Sequence, residues 1–216
     1  MLKPILFNTQ MVKAFLEDRK KATRRLVKLP KHIQLQDNGL YTLFAEDSAY
    51  EDQQLDQLYK SGYLKPTCAV GDILYVRETW KQYEKRVGEG AACHIEKFFA
   101  YKADEANPQN PSEFYNGNWH PSLHMTKAAA RIFRLVTEIK LEKLQNITGA
   151  DILSEGIAEP HTLPCRTVYA MGLELRESFE TLWDSTIPKT DIEAKGWIAN
   201  PWVWTISLEK CENPGL

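Results

Sequence analysis

The segment EDRKKATRRLVK, residues 17–28, surrounds one threonine, Thr23, with basic side chains. These cations are Arg19, Lys20, Lys21, Arg24 and Arg25, with Lys28 beyond them. Arginine and lysine are the usual ligands of phosphate, arginine as a two-pronged donor and lysine as a point charge. Cations that follow a helix also interact favourably with its negative end. The segment is therefore either an anion site or a solvated charged turn.

Glu155 is the second residue whose position indicates chemistry. It falls in the last turn of a predicted helix, where the helix dipole disfavours an anion by roughly 0.3–1 kcal/mol. A threonine hydroxyl becomes a nucleophile when a base accepts its proton, and a lysine can do so if burial or nearby cations lower its pKa. A carboxylate can orient that lysine or relay the proton. Lysine, threonine and glutamate thus form a candidate catalytic set. The simpler alternative is that Glu155 points to water.

The apolar pattern predicts the elements that must position these residues. Residues 9–18 predict a short helix capped by Thr9. An extended chain from Ala22 would place Thr23 and Arg25 on one face and Arg24 on the other. The sequence NITGADILSEGI predicts a second helix, and a third is predicted over 171–184. Strands are predicted in AVGDILYVRETW, KFFAYKAD, AAARIFRLVTEIKLEKL and NPWVWTISLEK. The order of these elements predicts a small mixed α+β barrel.

The NITGADILSEGI helix has complete boundary signals. Thr148 is the predicted N-cap, and Asp151, three residues on, completes a capping box. Gly156 is placed to end the helix.

Bulk properties exclude several classes of protein. The chain has 216 residues, 43% of them hydrophobic and 26% charged, and a net charge of −2. This balance excludes wrapping of long DNA, so any nucleic-acid contact must come from a local patch. No segment resembles a membrane span or a signal peptide, and we expect a cytoplasmic protein. The scattered cysteines and histidines show no metal-ligand spacing, and no cofactor is indicated.

Four stretches of the chain resemble the ASCH domain, a relative of the RNA-binding PUA fold, and in particular the ASCH proteins of bacteriophages and prophages. These stretches are FLEDRKKATRRLVK, GDILYVRETW, WHPSLHMTKAAARIFRLVTEIKLEKLQNITGADILSEGI and LWDS…NPWVWTISLE. The resemblance covers residues 1–216 as a single domain, interrupted by segments 31–66 and 83–118, which are predicted to be insertions. It implies a PUA-like β-barrel with flanking helices and a cleft beside the helix that bears Glu155.

The resemblance also implies roles for particular residues. A bacterial family, the N4-acetylcytidine amidohydrolases, is similar in the basic stretch and uses a lysine, a threonine and a glutamate, which match Lys20, Thr23 and Glu155. Two positions depart from the family pattern. Asp18 stands where a glycine is usual, and Lys21 stands where a threonine is common. An extra cation there would extend a phosphate-binding surface and crowd out a neutral nucleoside.

Other matched positions are expected to line or support the cleft. Arg77 and Glu78 are polar residues within a strand signal, so at least one needs a partner, although an ordinary ion pair would also satisfy them. Trp80, Trp119 and Tyr75 can stack a base or lie in the core. Lys127 and Arg131 are spaced to extend the basic surface or to face solvent.

Two functions of different class remain open at this point. One is an RNA- or nucleotide-binding protein that hydrolyses a modified nucleoside or RNA. In it Lys20 is the base, Thr23 is the nucleophile and Glu155 orients the lysine. The basic rim of the cleft consists of Arg19, Lys21, Arg24 and Arg25. The other is a non-catalytic phage accessory module that recognises nucleic acid or a protein partner. The sequence carries no signal for an oligomeric state.

Overall fold

The computed structural model describes residues 1–36, 39–45, 48–49, 54–104, 118–158 and 168–215. The strands in these ranges are β1 (Leu2–Leu6), β2 (Ala22–Leu26), β3 (Ile33–Leu35), β4 (Tyr41–Ala45), β5 (Ser48–Ala49), β6 (Ile73–Arg77), β7 (Trp80–Val87), β8 (His94–Tyr101), β9 (Phe133–Lys143) and β10 (Trp202–Cys211). The α-helices are α1 (Thr9–Leu16), α2 (Leu55–Lys60), α3 (Gly149–Ser154), α4 (Val168–Ser185) and α5 (Ile192–Lys195). The α+β class predicted from the sequence is confirmed.

The main sheet has five strands in the order β1-β6-β9-β10-β2. β1 and β6 are parallel, and the remaining neighbours are antiparallel. Strand β10 pairs with β9 on one side and with β2 on the other. The β2–β10 pairing thus joins the N-terminal and C-terminal parts of the described chain. The helix α1 connects the two edge strands β1 and β2.

The sheet is open between β1 and β2. No pairing among the described residues joins these two edges, so the closed barrel predicted from the sequence is not seen in them. The Arg25 side chain of β2 reaches across the opening, where its Nη2 donates to the Leu6 carbonyl of β1 at 2.8 Å. The opening is occupied by the cavity described below.

Two hydrophobic clusters cover the two faces of β10. Trp204, Ile206 and Leu208 belong to a cluster that also contains Val12 and Phe15 of α1. Val203 points to the other face and packs in a second cluster, whose remaining members come mainly from α3 and α4 and from the chain beside them: Leu144, Ile147, Ile152, Leu175, Phe179, Trp183 and Trp197. The sheet therefore holds α1 and α3 in fixed positions, which matters because both helices border the candidate site.

Segment 31–66 contributes to the core. The sequence predicts a polar flap with one strand, whereas the described part contains three short strands and α2. Its buried apolar side chains belong to the same cluster as those of α1 and β10: Ile33, Tyr41, Leu43, Leu55, Leu58 and Leu64. The described part of the segment therefore packs in the folded core, and its interpretation as an insertion or a mobile flap stays a prediction.

A methyl deletion at Ile33 tests this packing. Ile33 of β3 is 3% exposed and Ile95 of β8 is 63% exposed. Ile33→Val is expected to lower the free energy of unfolding by about 0.5–1.5 kcal/mol, because it leaves a small void in the core. Ile95→Val, the same methyl deletion at a solvent-exposed position, should change the free energy of unfolding by less than about 0.5 kcal/mol. Equal effects of the two changes in urea denaturation would show that segment 31–66 is not part of the cooperative core.

The strand predicted through AVGDILYVRETW divides in two. β6 ends at Arg77 and β7 begins at Trp80. Between them the Glu78 N–H donates to the Met125 sulfur at 3.1 Å, outside the strand ladder. β7 then pairs with β8 as a hairpin, which forms the described part of the second predicted insertion.

Candidate active site

A cavity of about 490 Å³ lies between the edge strands β1 and β2. Ligand pockets in proteins typically have volumes of about 300–1,000 Å³. Five of the residues predicted from the sequence line it, namely Lys20, Thr23, Arg24, Arg25 and Glu155. The sequence segments around residue 20 and residue 155 are thus brought together, as the resemblance implies.

Lys20 and Glu155 form a buried ion pair on the cavity wall. The Lys20 Nζ donates to Glu155 Oε2 at 2.8 Å and to the Glu155 carbonyl at 2.8 Å. Lys20 is 2% exposed and Glu155 is 5% exposed. The ammonium also lies 5.3 Å from the ring centre of Phe7. Because water barely reaches this pair, its charges interact far more strongly than those of a surface pair.

The ends of α1 and α3 bring the two residues into contact. Asp18, just after α1, has a φ of +56°, a left-handed conformation that reverses the chain. The Lys21 N–H then donates to the Ser154 carbonyl at 2.6 Å, and Lys20 and Glu155 form an antiparallel bridge. Asp18 thus makes the tight turn expected of the glycine that it replaces in the family pattern.

The boundaries of α3 are those that the sequence predicts. Thr148 caps the helix in a reciprocal capping box with Asp151. Glu155 is its C-cap, and Gly156 follows with a φ of +92°. A Cβ atom on residue 156 would lie 2.7 Å from the Ala14 Cβ. Glycine is therefore required both by the backbone conformation and by the close approach of α1. At the start of α1 the prediction was wrong, since Asn8 is the cap and not Thr9.

Arg24 holds the Glu155 carboxylate from the other side. Its Nη1 donates to Glu155 Oε1 at 3.3 Å, and its Nη2 donates to Glu142 Oε1 at 2.8 Å. Asp151 lies 3.5 Å from Nη2. One buried guanidinium is thus shared among three carboxylates, which fixes the orientation of Glu155 and compensates the charge of Arg24.

Burial lowers the pKa of Lys20 below the usual value for lysine. The Glu155 carboxylate opposes this shift by charge and by its hydrogen bond, whereas Arg25 and Arg24 lower the Lys20 pKa further. A lysine with a lowered pKa more readily gives up its proton to become a base. The environment of Lys20 is the kind that the proposed base requires.

Thr23 places a hydroxyl on the cavity wall without a partner among the described residues. It is 3% exposed, yet no hydrogen bond of its side chain is found in that part of the chain. It pairs with Ile206 of β10, which fixes its place in the sheet. The hydroxyl is therefore available to a ligand in the cavity.

Apolar side chains also line the cavity, and one of them, Phe7, lies beside Lys20 and Arg25. They are Phe7, Met11, Phe179, Leu182 and Trp183. The Trp183 indole N–H is already bonded to the Lys195 carbonyl at 2.9 Å, so the ring contributes an apolar surface. The sequence does not mark these residues as functional, since an apolar helix face that borders a cavity has the same pattern as one that packs in a core.

Arg19 and Lys21 lie outside the cavity. Arg19 donates to the Gly156 carbonyl and pairs with Glu17. Arg19 and Lys21 line a separate groove beside α3. The Lys21 side chain is 63% exposed, and its Nζ is 3.9 Å from Asp18. Of the four cations of the predicted basic rim, Arg24 and Arg25 line the cavity.

Arg131 and Glu78 belong to a separate ion-pair network. The Arg131 guanidinium bonds both Glu78 oxygens, at 2.8 and 3.0 Å, and both Asp104 oxygens, at 2.6 and 3.0 Å. It lies 3.9 Å from the ring centre of Tyr101. Burial raises the pKa of Glu78. This network connects the start of β7 to the end of β8 and does not line the cavity.

The remaining predicted residues also lie away from the cavity. Arg77 donates to the Leu123 carbonyl at 3.2 Å, and Trp80 packs on Phe99 with ring centres 5.6 Å apart. The ring of Trp119 has the Lys81 ammonium 4.5 Å from its centre. Lys127 is exposed in a short 3-10 turn. The structure thus gathers the lysine–threonine–glutamate set but not the predicted aromatic platform.

In the described ranges, no three histidine, cysteine or acidic side chains converge as a metal site. His161 and Cys165 lie outside the described residues. None of the described helices combines the length and the apolar character needed to cross a membrane.

Comparisons of the chain with protein-family models, with curated proteins and with solved structures gave no match. Its function must therefore be inferred from the geometry of the cavity.

Proposed function

We propose that this chain is an ASCH-type domain of PUA-like fold that binds a nucleoside unit, free or within RNA, in the cavity and hydrolyses an amide on it. The observation that carries the proposal is the buried Lys20–Glu155 pair in the wall of a ligand-sized cavity, beside the Thr23 hydroxyl, which has no partner among the described residues. Ionisable groups with perturbed pKa values in a cleft are frequent at functional sites. The apolar side chains of the lining suit a base, and the polar ones suit the reacting group.

The two departures from the family pattern are compatible with this proposal. Asp18 adopts the left-handed conformation that a glycine would adopt. Lys21 points away from the cavity and leaves its volume unchanged. Neither substitution therefore excludes a nucleoside from the space beside Thr23.

The proposed reaction uses one residue for each role. Neutral Lys20 accepts the Thr23 proton while Thr23 Oγ bonds to the carbonyl carbon of an N-acyl group. The C–N bond then breaks, and the departing amine takes the proton from Lys20. Water hydrolyses the acyl-threonine ester and releases the carboxylic acid. Glu155, held by Arg24, orients the Lys20 amine throughout.

A turnover assay on N4-acetylcytidine tests the proposal. Thr23→Val removes the hydroxyl with little change in volume, and Lys20→Met removes the base. Each is expected to lower kcat/KM by about 10²–10⁴-fold, the usual contribution of a positioned proton-transfer group. Lys140→Met is the matched control, because Lys140 forms an exposed pair with Glu138 at 2.8 Å.

Release of cytidine by wild type and by Lys140→Met, but not by the two cavity variants, would support the proposal. Wild type that releases no cytidine, or Thr23→Val with full activity, would contradict it. A labelled single-stranded RNA run in parallel distinguishes amide cleavage from strand cleavage.

The pH dependence of this reaction has a predicted direction. Because neutral Lys20 is the base, kcat/KM should rise with pH and level off above the Lys20 pKa, which burial lowers. Glu155 raises that pKa, so Glu155→Gln should move the rising limb to lower pH. A pH–rate profile of both proteins measures this shift. If the rising part of the Glu155→Gln profile stayed at the same pH or moved to higher pH, Lys20 would be excluded as the base.

One observation favours a second candidate, a non-catalytic module that binds RNA. The Glu155 carboxylate accepts hydrogen bonds from both Lys20 and Arg24, as it would in a purely structural network. Such a module would show RNA affinity that falls with salt, with a logarithmic slope of about −0.7 for each phosphate contacted. It would show no turnover and no sensitivity to Thr23→Val.

A further inference from the structure

The cavity carries more positive than negative charge. Among its described lining residues, Lys20, Arg24 and Arg25 are cations, and Glu155 is a carboxylate. Arg24 is compensated outside the cavity by Glu142 at 2.8 Å. Glu155 compensates Lys20 at 2.8 Å. Glu155 also pairs with Arg24 at 3.3 Å and acts on Arg25 by charge without forming an ion pair with it. Three cations of the lining thus share one carboxylate, and Arg25 is the cation among them without an ion pair in the described residues.

The contacts of Arg25 confirm that it has no anionic partner in the described residues. Its Nη2 donates to the Leu6 carbonyl at 2.8 Å, and its guanidinium carbon lies 4.8 Å from the ring centre of Phe7. No carboxylate of the described ranges lies within ion-pair distance of it. A guanidinium has five N–H donors, and this one gives a single described hydrogen bond. Because the half-buried Arg25 guanidinium has no ion pair in the described residues, an anion that enters the cavity would stabilise its charge.

The N-terminus of helix α1 is a second source of positive potential in the cavity. Helix α1 begins at Thr9, and both Asn8 and Thr9 line the cavity. The N-terminus of a helix carries a partial positive charge. Arg25 and the first turn of α1 thus favour the same charge in the same part of the cavity.

Resting on the proposed function, we propose that Arg25 binds the phosphate of the ligand, so that the site takes a nucleotide in preference to a free nucleoside. The phosphate belongs either to a mononucleotide or to an RNA phosphodiester. Arginine bonds phosphate oxygens in a two-pronged geometry, and Leu6 and Phe7 hold this guanidinium in place for it.

Binding of cytidine and of cytidine 5′-monophosphate to the full chain, measured by titration calorimetry, tests this inference. Wild type should bind the monophosphate about 10- to 100-fold more tightly, the range expected for hydrogen bonds to a charged group. Arg25→Gln, which keeps a donor for the Leu6 carbonyl, should bind both ligands with the affinity that wild type has for cytidine. Arg25→Lys should keep part of the preference. Arg86→Gln, an exposed arginine of β7, is the matched control and should behave as wild type.

If wild type bound cytidine and cytidine 5′-monophosphate with equal affinity, the role of Arg25 would be overturned and the proposed function would remain. A preference for the monophosphate that persisted in Arg25→Gln would have the same meaning. Absence of binding by either ligand and by a short oligocytidylate would overturn both proposals. Tighter binding of the oligocytidylate than of the monophosphate would assign the phosphate to RNA, and the reverse would assign it to a free nucleotide. Thermal unfolding by circular dichroism establishes that each variant is folded.

Discussion

Glu155→Ala is expected to destabilise the protein by about 3–5 kcal/mol, the usual cost of removing one partner of a buried ion pair. The change leaves the Lys20 ammonium buried, with the main-chain carbonyl of residue 155 as its remaining hydrogen-bond acceptor. It also removes the Glu155 oxygen that accepts from Arg24. Urea denaturation at neutral pH would measure the effect as a lower midpoint with an unchanged slope.

A matched pair on the surface provides the control. Glu138 and Lys140 lie 2.8 Å apart, as Lys20 and Glu155 do, but are largely exposed. Glu138→Ala should cost at most about 1 kcal/mol. The double change Lys20→Met/Glu155→Leu should recover much of the stability lost in Glu155→Ala, because apolar side chains of similar size often replace a buried pair without loss. A cost for Glu155→Ala no larger than that for Glu138→Ala would contradict the central position of this pair in the fold.

Gly156→Ala is the second change with a large expected effect, a loss of roughly 2–6 kcal/mol of stability. A left-handed conformation costs a non-glycine residue about 1–3 kcal/mol. Here the added Cβ would also lie 2.7 Å from the Ala14 Cβ and 3.0 Å from the Lys20 Cβ, and overpacking typically costs about 1–3 kcal/mol more. Relief of this contact would push Lys20 away from Glu155. The variant should therefore lose ligand affinity or turnover as well as stability, measured on the folded fraction.

Gly149→Ala is the control for this experiment. Gly149 is the first residue of α3, and nothing lies within 4 Å of an added Cβ. Alanine there should be neutral or should stabilise the helix by up to about 1 kcal/mol. If both alanine variants unfolded at the same denaturant concentration, the close approach of α1 and α3 at Gly156 would not be a determinant of stability.

The elements predicted best from the sequence are those whose signals are local and strong. The Thr148–Asp151 capping box and the glycine at 156 define α3 because backbone hydrogen bonding and φ requirements act within a few residues. The alternation in NPWVWTISLEK predicts one face for Trp202, Trp204, Ile206 and Leu208, and all four lie in or against one core cluster. Such signals depend little on the rest of the chain.

Features that depend on distant contacts were missed. β3 and β5 have three and two residues, too few for a visible alternation. β3 is supported by the core cluster through Ile33. Thr9 was predicted as the cap of α1, but Asn8 caps it; asparagine and threonine both cap helices well, so local residue type does not distinguish them. Open sheet edges and a cavity wall also have no signature in the pattern of side chains.

The candidate site shows the same division. The sequence marks Thr23 and Glu155 as unusual, but 132 positions separate them, and their meeting was implied by a resemblance. Arg131 was expected on a basic surface, yet it binds Glu78 and Asp104. A charge pattern indicates which side chains need partners but does not identify those partners.

The position of β2 in the sheet has a consequence for how the protein is made. β2 pairs with β10, so Arg25 meets Trp204 and Thr23 meets Ile206. At a synthesis rate of about 5–20 residues per second, β2 leaves the ribosome on the order of 10 s or more before β10 does. During that interval Lys20 and Thr23 have no neighbouring strand to hold them, and pairing across such a distance is intrinsically slow. We therefore expect the cavity to assemble only after translation of residues 202–211, so that a nascent chain lacks the binding site proposed above.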